Sequence, residues 1–179
     1  METLPDLLAP NLRLLSIGLN PSLPSVAAGY YFANPRNRFW SALNASRLLQ
    51  VPLTPGIAAQ QALLESGRIG FTDLVKRPTR GGSELRAADF REGAARLLEL
   101  VHDYAPACAW FHGKVAYRQF LRHAGMAEDT VCWGRQPLVL GATRLFVTPN
   151  PSPANAAYSL QALVNWFDCL AEELASGRI

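Results

Sequence analysis

Residues 12–18, LRLLSIG, are apolar at almost every position and stop abruptly at Gly18-Leu19-Asn20-Pro21. A strand with one face in water alternates apolar and polar side chains. A run without that alternation is buried on both faces and reads as an inner, parallel strand. The rest of the chain is punctuated in the same way. A helix is predicted from about Asn37, with Phe39, Trp40 and Leu43 inward, and another over 57–65 after the breaker PLTPG. RIGFTDLV reads as a short strand. From Asp89, a candidate N-cap, to about Tyr104 the residues Phe90, Ala94, Leu97, Leu98 and Val101 share one helical face. ACAWFHG is a further buried strand, KVAYRQFLRH a helix, and QPLVLGATRLFVTPNPS two short strands around a tight Gly-Ala turn. A last helix over about 159–175 carries Leu160, Leu163, Val164, Phe167, Leu170 and Leu174 on one side. Strands that alternate with helices predict a three-layer α/β/α sandwich with a mostly parallel central sheet.

The 179 residues fit one domain, with no repeat or linker to split it, and a monomer is expected. No apolar run approaches a membrane span. The opening METLPDLLAP lacks a basic start followed by an apolar stretch, so no signal peptide is expected and the compartment is expected to be the cytoplasm. Cys108, Cys132 and Cys169 are odd in number and widely spaced. They predict reduced structural thiols rather than a disulfide framework, a zinc site or an iron–sulfur cluster. No metal and no cofactor is expected.

The formal charge is only +3, but arginine dominates it: the lysines are Lys76 and Lys114 alone. Arginine suits planar phosphate contacts, and a skewed genome composition gives the same excess. One segment is denser in positive charge, KRPTRGGSELR, with Lys76, Arg77, Arg80 and Arg86. It reads either as a solvated loop or as one that touches phosphates.

In open α/β sheets ligands bind beyond the carboxyl ends of the strands. Two such ends carry the same signature, Asn20-Pro21-Ser22 and Asn150-Pro151-Ser152. One Asn-Pro-Ser is a common turn, because proline presets φ while Asn and Ser bond to nearby backbone. Two of them, each just after a buried strand, would bring two amide side chains and several backbone N–H groups to one mouth. Gly18 and Leu19 lie at that mouth. Between the first strand and the first predicted helix the chain crosses a long stretch of small and aromatic residues, costly to order as mere connection. It is expected to form the floor and one wall of a pocket.

GLNPS, GYYFANPRNRFW and the second NPS resemble the motifs of the mismatch-specific uracil/thymine DNA glycosylases, a branch of the uracil-DNA glycosylase superfamily. That family's first motif reads Gly-Ile-Asn-Pro-Gly, followed at fixed distance by an aromatic and Ala-x-Pro-x-Asn-Arg-Phe-Trp. The similarity continues in order through GFTDLVKRPT, HGKVAY and WGRQPLVLGATRLFVTPNPS and covers most of the chain. It implies a DNA-repair glycosylase that flips a deaminated base, most simply uracil opposite guanine, and hydrolyses its N-glycosidic bond to leave an abasic site. The implied partner is double-stranded DNA with a damaged or mismatched base, with single strands as the alternative.

The resemblance also implies roles. Asn20 matches the catalytic Asn; an amide does not titrate usefully, so its role would be to position the attacking water. Phe32 matches the aromatic that stacks on the flipped base, a contact worth about 1–3 kcal/mol per base. Ser25 matches a position beside the C5 edge of the pyrimidine, where crowding a methyl would favour uracil over thymine. Of the adjacent tyrosines, Tyr30 is the candidate for the pocket wall and Tyr31 is undecided. Asn150 stands where the best-known branch of the superfamily carries a histidine that hydrogen-bonds the departing uracil. Gly18 and Leu19, with the nearby backbone, would complete base binding. Lys76, Arg77, Arg80 and the loop of Ser152, Pro153, Ala154 and Asn155 would grip DNA. Relatives carry Gly-Leu-Ser-Arg after Asn-Pro-Ser, with the leucine wedged into the duplex. This chain has Pro153-Ala154-Asn155-Ala156-Ala157-Tyr158 and no large apolar wedge, with Asn155 and Tyr158 as candidates to fill the gap.

Asp73 is read from its chemistry alone. A carboxylate beside the pocket could activate water or stabilise the sugar cation, and the competing reading is an Asp that caps a turn after Thr72. His112, at the end of ACAWFH, reads more readily as a structural histidine than as a functional one. Two other readings stay open. One is a glycosylase for hypoxanthine, xanthine or etheno adducts; the other is a non-catalytic lesion-binding protein on the same fold.

Overall fold

The computed structural model describes residues 2–128 and 130–176. Five strands form one sheet in the order β2-β1-β3-β5-β4: β1 Leu14–Gly18, β2 Ile69–Asp73, β3 Cys108–His112, β4 Gly134–Leu140 and β5 Thr143–Thr148. The first, second, third and fifth run parallel, and β4 runs antiparallel to β5, which follows it after the Gly141-Ala142 turn. The helices are α1 Leu23–Ala28, α2 Phe39–Ala45, α3 Ile57–Glu65, α4 Ala87–Tyr104, α5 Lys114–His123 and α6 Leu160–Ala175. The predicted α/β sandwich is the observed architecture.

The unbroken apolar strands explain the layering. β1, β2, β3 and β5 are buried at every position. Their side chains alternate between two cores. Leu14 and Trp110 face a layer with Phe39, Trp40, Leu63 and Phe167, which belongs to α2, α3 and α6. Leu15, Ile17 and Phe111 face a second layer with Phe90, Leu97, Tyr117 and Phe120, which belongs to α4 and α5. The parallel register brings Gly18 beside Asp73 and His112 beside Thr148, so the carboxyl ends of four strands make one edge. β1 sits between β2 and β3, and the crevice opens where the connections diverge, as such sheets require.

Three local expectations change. The stretch after β1 is not all loop: Ser22 caps a short helix, accepting from the Ser25 N–H at 3.3 Å, and Pro24 sits in its first turn. α4 begins two residues before Asp89, whose carboxylate instead reaches back to the Arg86 N–H at 2.7 Å from the third helical position. Leu160 is exposed, because α6 starts above the sheet edge and meets the core only from Leu163.

Candidate active site

A cavity of about 170 Å³ opens at the carboxyl edge of the sheet. Asn20 and Asn150 both line it, from the ends of β1 and β5. Their amides are fixed in opposite senses. Asn20 Nδ2 donates to the Arg77 carbonyl at 3.0 Å and to Thr79 Oγ1 at 2.7 Å. A carbonyl only accepts, so the amide cannot turn over, and Oδ1 is left as the open group; no described residue donates to it. Thr79 Oγ1, buried, passes its own proton to the Gly81 carbonyl at 2.9 Å. Asn150 is the mirror case. Its Oδ1 accepts the Ser152 N–H at 2.9 Å, an Asx turn, which leaves Nδ2 as the open donor. Gly113, at φ 101°, makes room: a Cβ there would lie 3.2 Å from Asn150 Cβ.

Asp73, at the end of β2, and His112, at the end of β3 between β1 and β5, line the same wall. The Asp73 carboxyl receives no hydrogen bond from any described residue, and Oδ2 is fully buried. It caps no turn. Burial, with the Asp6 carboxylate adding to it, pushes its pKa up to about 7 against the pull of Lys76 and Arg96. His112 faces Ser16 Oγ across 2.8 Å through Nε2, and burial pulls its pKa down to about 3, so the ring is neutral. It is more deeply buried than a histidine at a strand end need be, with Phe32 and Phe39 edge-on at 5.1 and 5.4 Å.

Phe32 lies in the wall with φ 58°, a left-handed conformation that bulky side chains avoid. Such a residue costs on the order of 1–3 kcal/mol and persists where its surroundings impose it. Here the imposing contact is a near-parallel stack on Phe39, centroids 4.0 Å apart and planes at 17°. Ser25 Oγ accepts the Ala33 N–H at 3.1 Å and so ties the aromatic loop back to α1, with Ser25 itself in the cavity wall. Gly18 and Leu19 line the cavity as well. Tyr30 does not. Its ring meets Trp40 edge-on outside the cavity, and Tyr31 takes the wall position, fixed by Tyr31 Oη donating to the Pro5 carbonyl at 3.1 Å.

The basic segment divides. Lys76 points inward to Asp6 Oδ1 at 2.7 Å. Arg77 forms a two-pronged pair with Asp89, at 3.0 and 2.7 Å, and also reaches the Glu84 carbonyl. Both cations are therefore already ion-paired within the chain, although a third of the Arg77 side chain stays exposed. Arg80 is exposed, on the cavity rim, with no ion pair among the described residues.

The 152–158 loop is held by a residue the sequence reading left without a role. Arg38 donates to the carbonyls of Ser152 at 3.0 Å, Asn155 at 2.8 Å and Tyr158, while its N–H bonds to the Pro151 carbonyl. Asn155 Nδ2 binds the Asn150 carbonyl at 3.0 Å, and Tyr158 packs edge-on against Trp133. Neither candidate wedge is free. Pro153, Ala154, Ala156 and Ala157 make the exposed surface of the loop.

The mostly parallel sheet thus ends in a polar cavity lined by two amides, a neutral histidine and a carboxyl without a hydrogen-bond partner among the described residues. Residues 5–173 match the model of the uracil DNA glycosylase superfamily, and the chain belongs to that superfamily, whose class is the DNA glycosylases. Among solved structures it is similar to a solution NMR structure of a candidate uracil DNA glycosylase from Methanosarcina acetivorans, at 22% identity and a TM-score of 0.58. That match covers 95% of this chain and 98% of the other, and it bears on the fold.

Proposed function

We propose that this protein is a monofunctional, mismatch-specific DNA glycosylase of the cytoplasm. It removes a flipped deaminated base, uracil opposite guanine first, acting as a monomer and leaving an abasic site. The observation that carries the reading is the opposed pair of amides, an open acceptor on Asn20 and an open donor on Asn150, in one cavity. Hydrolysis of an N-glycosidic bond needs both. The bond's electron pair leaves with the base, a water oxygen bonds to C1′ of the sugar, and one water proton must go elsewhere.

In this reading the base stacks on Phe32, and Asn150 Nδ2 donates to the base oxygen on which negative charge grows. Asn20 Oδ1 accepts from the attacking water and aims it. Asp73, as carboxylate, takes the proton; a base with a pKa near the working pH is the efficient choice. Gly18 and Leu19 close the cavity around the base, and Ser25 crowds a C5 methyl. Arg80 and the surface of Ser152, Pro153 and Ala154 meet the DNA backbone and the gap left by the base, with Asn155 bracing them from below. Extruding a base costs a few kcal/mol, least at a mismatch, which favours G:U over A:U.

The test is excision from labelled oligonucleotides followed by alkaline cleavage. Uracil opposite guanine should be removed faster than uracil opposite adenine or thymine opposite guanine. Equal rates on thymine and uracil opposite guanine would remove the specificity, and binding without an abasic product would remove the enzyme.

A further inference from the structure

Two cations lie close enough to Asp73 to lower its affinity for a proton, and neither holds its carboxyl. Both are held by Asp6. One Asp6 oxygen accepts from Lys76 Nζ at 2.7 Å and from Thr72 Oγ1 at 2.7 Å. The other accepts from Arg96 Nη1 at 2.7 Å. Lys76 spends a further donor on the Tyr31 hydroxyl at 3.3 Å, and Arg96 spends its second nitrogen on the Asp73 backbone carbonyl. Asp6 is itself fixed. Leu7 exchanges two hydrogen bonds with Phe71 of β2, both 2.9 Å, and Leu4, 2% exposed, enters the cavity wall.

We infer that Asp6 is a positioning residue of the active site: its carboxylate keeps Lys76 and Arg96 in ion pairs of its own and thereby leaves Asp73 without a cationic partner. The catalytic consequence rests on the reading of Asp73 as the base for water; the titration does not. Among the described residues, few charged or titratable groups surround Asp73. They are Asp6 of the N-terminal segment, Lys76 after β2, Arg96 of α4, Tyr31, His112 of β3, and Arg80 on the rim. Burial raises the Tyr31 pKa and lowers that of His112, so both rings are neutral near pH 7. The charge balance at Asp73 is then set by Asp6 against Lys76 and Arg96. An opposite charge within about 4–6 Å lowers a carboxyl pKa by about 1–3 units, and that is the shift that Asp6 withholds.

The test is the titration of the Asp73 side-chain carboxyl by 13C NMR in the full chain. In Asp6→Asn, with the fold retained, the midpoint should fall by about 1–3 units as Lys76 and Arg96 turn to Asp73. Asp6→Glu should restore it. An unchanged or higher midpoint in Asp6→Asn overturns the proposal. If Asp6→Asn does not hold its fold, Lys76→Met decides. A lysine already neutralised by Asp6 should raise the Asp73 midpoint by less than about one unit when removed, and a larger rise means that Lys76 partners Asp73 directly. The acid limb of the excision pH profile should follow the NMR midpoint. If Asp73→Asn leaves excision intact, the catalytic reading fails while the titration result stands.

Discussion

A methyl group on Gly18 would stand 2.2 Å from Asp73 Oδ1, the two residues being register partners at the ends of β1 and β2. Gly18 is therefore needed less for contact with a base than for room: the Asp73 carboxyl occupies the space a side chain would fill. Gly18→Ala should push the carboxyl out of its place. Excision should fall by about 10²-fold or more if Asp73 acts as the base, and the overpacking should cost about 1–3 kcal/mol of stability. Paired excision rates and thermal melts check this; a wild-type rate would mean that the position of Asp73 is immaterial.

Thr79 holds Asn20 in the orientation that exposes Oδ1. Thr79→Val keeps the shape and removes the acceptor for Asn20 Nδ2 at 2.7 Å. The Arg77 carbonyl remains, so the amide should loosen rather than turn over. One hydrogen bond is worth about 0.5–1.5 kcal/mol, and excision should drop several-fold with little change in KM. A change in KM alone would move Thr79 from orienting water to binding the base.

Stability should depend on pH through Asp73 with a definite sign. Its pKa in the fold, about 7, lies above its ordinary 3.8, so the folded protein binds the proton more tightly than the unfolded chain. Stability is then lost as pH rises from about 4 to 7, by roughly 2–4 kcal/mol, and the loss is complete above that. Asp73→Asn carries no charge and should escape it, so its Tm relative to wild type should rise between pH 4 and pH 8. A constant difference across that range would contradict a buried carboxyl of raised pKa.

Arg80 and Arg77 should separate in a salt titration of DNA binding. Arg80→Ala should weaken binding on every sequence and reduce the log–log salt slope by about one. Arg77→Ala should leave the slope alone and lower the Tm instead, because its guanidinium is spent on Asp89.

These two arginines also show what a sequence can and cannot display. Strands such as Leu14–Gly18 and Cys108–His112 are legible because burial on both faces leaves a run with no alternation, and the two Asn-Pro-Ser ends meet at one cavity. The α1 helix was signalled by Ser22 and Pro24, a capping residue just ahead of a first-turn proline, within a stretch that its small residues made look like loop. The ion pairs of Lys76 and Arg77 are not legible because their partners, Asp6 and Asp89, lie 70 and 12 residues away. Tyr30 and Tyr31 are neighbours of like chemistry, and only the turn of the folded backbone decides which ring enters the wall. Arg38 binds main-chain carbonyls, which leave no trace in the residue types of the loop it holds.

The central claim is that Asn20 and Asn150 act as acceptor and donor on the two sides of one hydrolysis. The most direct measurement is single-turnover excision of uracil opposite guanine by wild type, Asn20→Ala and Asn150→Ala, with binding of the same duplex followed in parallel. The account predicts that both variants still bind the duplex while excision falls by about 10²-fold or more, the loss expected for a group that acts in the transition state. Excision at the wild-type rate in either variant, with the fold intact, would contradict it.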